Sequence, residues 1–150
     1  VIRETHAKNI VMDGDVSVVE TGAQADFLSP SPNIIKYAPV HVDRILHDGN
    51  TVSLGGVTLT AHKTAGHTRG CTTWTLGAHL PGEPAETMRN IVIVGGTGFW
   101  SEYHFVATPG HPVSYPGIVQ DFQHTFWRCV LCHATYFWEP MVGTSTCSPN

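Results

Sequence analysis

Val57-Thr-Leu-Thr-Ala-His-Lys-Thr-Ala-Gly-His-Thr-Arg-Gly-Cys-Thr-Thr-Trp74 is the stretch whose reading decides the fold. Val57, Leu59 and Ala61 alternate with polar residues, the two-residue period of a strand with one covered face. Thr64-Ala-Gly66 then lifts His67 onto a bend, and Gly70 returns the chain into a second β-rich run over 71–76. The flanking glycines remove side-chain bulk and admit positive φ, so one ring nitrogen can face a ligand while a neighbour fixes the other. A metal-ligating histidine needs that arrangement.

Working outward, Gly55-Gly56 joins the run 51–54 to the run 57–62, the clearest hairpin in the sequence. Residues 9–12 read as a short apolar strand, and 13–20 as a brief helix with Asp13 as N-cap, ending near Gly22. Prolines 30, 32 and 39 remove donors and fix φ across 24–42, which reads as a loop. Ile91-Val-Ile-Val94 is apolar throughout and predicts a strand over 90–94 covered on both faces, after a loop over 77–89. Gly95-Gly-Thr-Gly98 breaks that strand. The best helix spans 116–130, with Ile118, Phe122, Phe126, Cys129 and Val130 as its apolar stripe.

At 150 residues the chain fits one domain, and 41% hydrophobic against 13% charged residues marks it as globular. Lysines and arginines total 8, do not cluster, and leave a net charge of −4, which argues against a nucleic-acid footprint. No apolar run reaches the length of a membrane span, and no charged start followed by an apolar stretch reads as a signal peptide. Four unevenly spaced cysteines do not make a disulfide framework. The ten histidines point more towards metal chemistry. Of these, His41, His47, His79, His104, His111 and His124 have no partner at ligand spacing and read as structural. His62, five residues before His67, reads as packing along the strand.

Residues 64–74 resemble the turn that supplies the third histidine of the metallo-β-lactamase superfamily, and the flanking text is similar to the class B3 zinc β-lactamases in particular. Asp13-Gly-Asp-Val-Ser-Val-Val-Glu20, Val42-Asp-Arg-Ile-Leu-His-Asp-Gly49, residues 51–60, Ser114-Tyr-Pro-Gly-Ile118 and residues 121–126 follow that family in order. The resemblance covers roughly residues 7–126 and implies an α/β (α+β) fold, one part of a four-layer αββα sandwich. It implies that 1–150 corresponds to the C-terminal half of such a domain, with 139–150 a divergent tail.

The family's His-x-His-x-Asp-His signature has no counterpart in residues 1–12, so four of the usual ligands are absent from this chain. Two ligand positions carry over by resemblance, His67 for the first zinc site and His133 for the second. Thr97 lies near where class B3 enzymes place a serine close to the second metal, giving it a substrate-binding role, although a plain turn over 95–98 is favoured. The resemblance implies one or two zinc ions, a zinc-bound hydroxide that attacks the β-lactam amide, a small-molecule β-lactam substrate, and a periplasmic or secreted location. With the site incomplete, a non-catalytic remnant or binding module of the same fold is the alternative. Halving a sandwich also exposes an apolar sheet face, so self-association is expected.

Cys129-Val-Leu-Cys132-His133 also fits the attachment pattern of c-type haem, a remoter reading. Cys132, His133 and His67 converging on an adventitious zinc is another. The aromatics Phe99, Trp100, Tyr103 and Phe105 read by default as core, with a ligand groove as the competing reading.

Overall fold

The structure, a computed structural model, describes residues 2–131 and 136–138. After a short helix α1 (Ile2–Thr5), strand β1 (Ile10–Met12) pairs in parallel with β2 (Arg44–Leu46), in the register Ile10↔Arg44 to Met12↔Leu46. Between them the chain makes a 3-10 turn (Asp13–Asp15), helix α2 (Val16–Glu20) and a long loop. The Asp13 cap predicted from sequence is not formed. Its carboxylate instead receives Lys63 Nζ at 2.5 Å and lies 3.1 Å from His47 Nδ1, because the turn points it at the second sheet and not back along the helix. Gly22 ends the helix at φ +63, where a Cβ would collide with the Tyr37 carbonyl. The proline-bearing loop contains no strand or α-helix, as its composition predicts.

The second sheet runs β3 (Thr51–Leu54), β4 (Val57–Lys63), β5 (Thr72–Ala78), β6 (Arg89–Ile93) and β7 (Tyr136–Trp138) in spatial order. All pairs are antiparallel except β6 with β7. Gly55 and Gly56 both take positive φ, +58 and +83, which is what a two-residue hairpin turn demands. Register places Val52 opposite Leu59, Ala61 opposite Trp74 and Trp74 opposite Ile93, so these side chains share one face.

That face packs on the small parallel sheet. Met12, Leu46 and fully buried Ala61 form one core cluster, with Ile10, Val52 and Trp74 against it. Two sheets facing one another are the sandwich that the sequence resemblance implies. The same face is only half covered further along, where Leu59, Leu76, Ile91 and Ile93 retain intermediate exposure. The expectation of a β6 buried on both sides is therefore corrected. Val92 is buried on one face, while Ile91 and Ile93 on the other meet only partial cover.

Helix α3 (Ile118–Leu131) starts two residues later than predicted, because Gly117 sits at φ +91 outside it. Among its described side chains Ile118, Phe122 and Thr125 are buried and Phe126 is 49% exposed, while the side chains of Cys129 and Val130, the rest of the predicted stripe, lie outside those described. Phe126 thus leaves the predicted stripe and keeps a tilted ring contact with Phe122, 6.0 Å between centroids. Ile118 and Phe122 join Tyr103 and Tyr115 in a second core cluster, with Phe27, Leu28, Phe105 and Val119 packed around it. Arg128 near the helix end clamps both oxygens of Asp48 at 2.8 and 2.7 Å, tying α3 to the β2–β3 connection.

Candidate functional site

His67 stands on the connection between β4 and β5, and groups from several remote segments shape that turn. Thr64 N–H donates to the Cys71 carbonyl at 2.7 Å and closes its neck. Inside it Gly66, at φ +137, lies flat on the Phe122 ring, where a Cβ would come within 2.9 Å of Cγ. The buried Thr125 hydroxyl donates to the Ala65 carbonyl at 2.7 Å, and the Tyr103 hydroxyl to the His67 carbonyl at 2.6 Å. Asp15 accepts from the Thr68 hydroxyl at 2.5 Å and from Gly70 N–H at 2.8 Å. Arg69 lies over the Tyr115 ring, 4.8 Å from its centroid.

These contacts carry an electrostatic cost at Asp15. Burial pushes its carboxyl above the usual carboxylate value, and the bonds from Thr68 and Gly70 only partly oppose that rise. Burial likewise pushes the Tyr103 phenol up to about 12, so it stays a hydrogen-bond donor across the physiological range. Gly14 and Gly70 permit the close approach, since a Cβ on Gly70 would fall 2.6 Å from Asp15 N and one on Gly14 would collide with the Arg69 carbonyl.

The imidazole itself is half-buried and has one nitrogen committed. His67 Nδ1 lies 2.8 Å from the Gly98 carbonyl, which can only accept, so Nδ1 carries the proton and Nε2 keeps its lone pair. Residues 95–98 run alongside the ring. Gly96 makes this possible, because a Cβ there would sit 2.5 Å from His67 Cδ2. Cys71 donates its thiol to the Gly96 carbonyl at 3.2 Å, and burial raises its pKa, so it is a packed thiol and not a reactive one.

The sequence-derived positions separate as follows. Thr97 lies in the segment flanking His67 and is half-buried. His62 bonds Thr75 Oγ1 at 2.8 Å across the sheet, in line with the packing reading. Phe99 and Trp100, next to Gly98, are 62% and 63% exposed, so the core default is corrected for these two. Phe99 still meets the rings of Phe105 and Phe122 edge-on, at 5.4 and 6.1 Å between centroids, so it caps the aromatic cluster from outside, while Tyr103 is buried in it. His133 and Cys132, and with them the haem and adventitious-zinc readings, lie outside the described residues. So does the tail 139–150. Sequence reading gave Asp15 no role and took Tyr103 as core, which it is; what it missed is that both hold the His67 turn, through contacts with residues 53 and 36 positions away.

No family model matches this chain. Among solved structures it is similar to the native FEZ-1 metallo-β-lactamase from Legionella gormanii, at 37% identity and TM-score 0.81, over 92% of this chain and 50% of that one. The fold is that of half a metallo-β-lactamase. It is also similar to BJP-1, a subclass B3 metallo-β-lactamase of Bradyrhizobium japonicum, at 27% identity and TM-score 0.77, over 93% of this chain and 48% of that one. A β-lactamase from Chitinophaga pinensis, at 22% identity and TM-score 0.77, repeats the fold alone. The chain thus spans about half the length of the metallo-β-lactamases it matches.

A zinc ion in such a fold needs several protein donors, three in catalytic sites and four in structural ones. Among the described residues no group of three or more His, Cys, Asp and Glu side chains could hold a metal ion. The described residues by themselves therefore do not make up a zinc site.

Proposed function

We propose that this chain is half of a zinc-dependent hydrolase of the class B3 metallo-β-lactamase type, contributing the His67 ligand and one wall of the substrate site, with β-lactam amides as the substrate class. The observation that supports this most is the commitment of Nδ1 to Gly98, which leaves Nε2 as the donor atom. Thr97 supplies a hydroxyl in the adjoining segment, and exposed Phe99 and Trp100 offer an apolar surface for a small molecule. His133 is the second inherited ligand in this reading, and further donors come from outside the described residues. The proposed location is periplasmic or secreted. Among the described residues no helix is long and apolar enough to cross a membrane.

The short donor set favours a second reading, a binding module or remnant that keeps the half-sandwich without the chemistry. Zinc stoichiometry measured alongside turnover of a chromogenic cephalosporin separates the two. Turnover lost on chelation and in His67→Ala supports the hydrolase. Turnover indifferent to chelator and to that substitution removes it, and silence with no bound zinc leaves the remnant.

A further inference from the structure

We propose that the cleft between the proline-bearing loop and residues 102–114 binds a small organic cation, an amine on a compact apolar body, at a site separate from His67. The cleft has a volume of about 340 Å³, at the low end of the range of roughly 300–1,000 Å³ in which small-molecule sites fall. Phe27 and Leu28 on one side and Pro112 and Val113 on the other give it apolar walls.

The shape exists before any ligand arrives. Phe27 lies edge-on to Tyr103, 5.4 Å between centroids, and 5.0 Å from Tyr115, so this wall is anchored on the second core cluster. Leu28 N–H donates to the Asp26 carboxylate at 2.7 Å and Ser31 N–H to the Leu28 carbonyl at 2.8 Å, which fixes the same side. Across the cleft, Ser114 N–H donates to the His104 carbonyl at 2.9 Å, His104 N–H donates to Ser114 Oγ at 2.8 Å, and Thr108 and His111 exchange backbone bonds. The His104 and His111 rings, stacked at 5.0 Å between centroids and 15° from parallel, stand on that fastened loop as one aromatic slab. Asn33 Nδ2 donates to Glu102 Oε1 at 2.7 Å and ties the two sides together. A preformed cavity spares its ligand the cost of ordering loops.

Charge decides the ligand class. Glu102 is the one carboxylate in the lining, and no Lys or Arg stands beside it among the described lining residues. The bond from Asn33, followed by its own backbone N–H and the Ser101 hydroxyl, holds the Glu102 carboxyl below the usual glutamate value, so it is ionised at neutral pH. An anion in the cleft would face that charge with no basic side chain to receive it. An ammonium meets a positioned acceptor while its hydrocarbon covers Phe27, Leu28 and Val113. Pro30, His111 and Pro112 are exposed, so entry needs no opening of the loops. The lining includes neither His67 nor residues 95–98, and Tyr103, between Glu102 and His104, sends its hydroxyl to the His67 carbonyl at 2.6 Å. Binding here requires neither zinc nor turnover.

Titration of the full chain with benzylamine, read by calorimetry and by NMR shifts, tests the site against two probes of similar shape, benzyl alcohol and benzoate. The expected result is saturable binding of benzylamine that shifts the signals of Phe27, Glu102, His104 and Val113. Benzyl alcohol should bind at least tenfold more weakly and benzoate not at all. Glu102→Gln should weaken benzylamine at least tenfold, and His67→Ala should leave its binding in place. Should either variant fail to fold, the comparison of the three probes on the unaltered chain decides the matter alone. Absence of saturation with benzylamine, equal affinity for benzyl alcohol or benzoate, undiminished affinity in Glu102→Gln, or shifts confined to Phe99 and Trp100 would overturn the proposal.

Discussion

Replacing Asp15 with alanine should loosen the His67 turn more than any other single polar deletion near it. The carboxylate accepts the Thr68 hydroxyl and the Gly70 N–H, and Gly70 is buried. Hydrogen bonds to a charged group contribute about 1.5–3 kcal/mol each, and a buried N–H left without an acceptor costs about 1–3 kcal/mol. Against that stands relief from burying a carboxylate, the effect that raises its pKa. The balance is a loss of about 2–4 kcal/mol for Asp15→Ala. Asp15→Asn should lose only about 1 kcal/mol, since its amide oxygen still accepts from Gly70 and its NH₂ can donate to Thr68 once that hydroxyl turns. Urea unfolding measures both, with an unchanged m-value as the check that each variant still folds cooperatively. A folded Asp15→Ala whose loss is below about 0.5 kcal/mol, the scatter of ordinary surface substitutions, would refute the idea that this carboxylate builds the turn.

Three other outcomes follow from the geometry. Gly96→Ala places a methyl against the imidazole, so it should displace the ring from Gly98 and destabilise by about 1–3 kcal/mol; an unmoved His67 ring signal in that variant would contradict the packing described. For the pH dependence, burial pushes both Asp13 and Asp48 up. The bonds from Lys63 and His47 to Asp13, and from Arg128 and Lys63 N–H to Asp48, outweigh it and hold both below the usual aspartate value. Stability contributed by this pair is present above the unfolded-state pKa and is lost as pH falls through the folded values. Asp15 works with the opposite sign, its contribution being full below the unfolded value and lost as pH rises through the elevated one. Asp15→Asn should therefore flatten the falling limb, and Asp48→Asn the acid limb, of stability measured against pH. Finally, exposed Leu54 and Val57 on the half-covered sheet face should drive concentration-dependent association, visible by sedimentation; a monomer at all concentrations with little dye-binding surface would argue against it.

Much of the fold could be read from local pattern. The β3–β4 hairpin announces itself because Gly-Gly is one of few pairs that accept two positive φ values in succession, and β4 because Val57, Leu59 and Ala61 alternate. The bend that carries His67 was legible for the same reason, since glycines flank it closely. What escaped depends on distance along the chain. Nothing local says that Ile10 pairs with Arg44, that Asp13 turns to Lys63 and not to its own helix, or that Asp15 reaches Thr68. The predicted α3 stripe missed Thr125, polar by type but buried with its bond to Ala65, and included Phe126, which is half exposed. His104 and His111 stack on one another although seven residues apart, because a backbone bridge between Thr108 and His111 folds the loop between them.

The His67 turn borrows its shape from remote segments: Asp15 on one side, Tyr103 and Thr125 on the other. Contacts that span so much chain exist only when the intervening loops are closed, so the bend is held only while those segments stay docked. Transplanting residues 64–74 onto a foreign hairpin would carry the letters of the motif without its tethers, and the imidazole there would swing freely. In the intact chain that single ring becomes a sentinel for the completeness of the whole assembly.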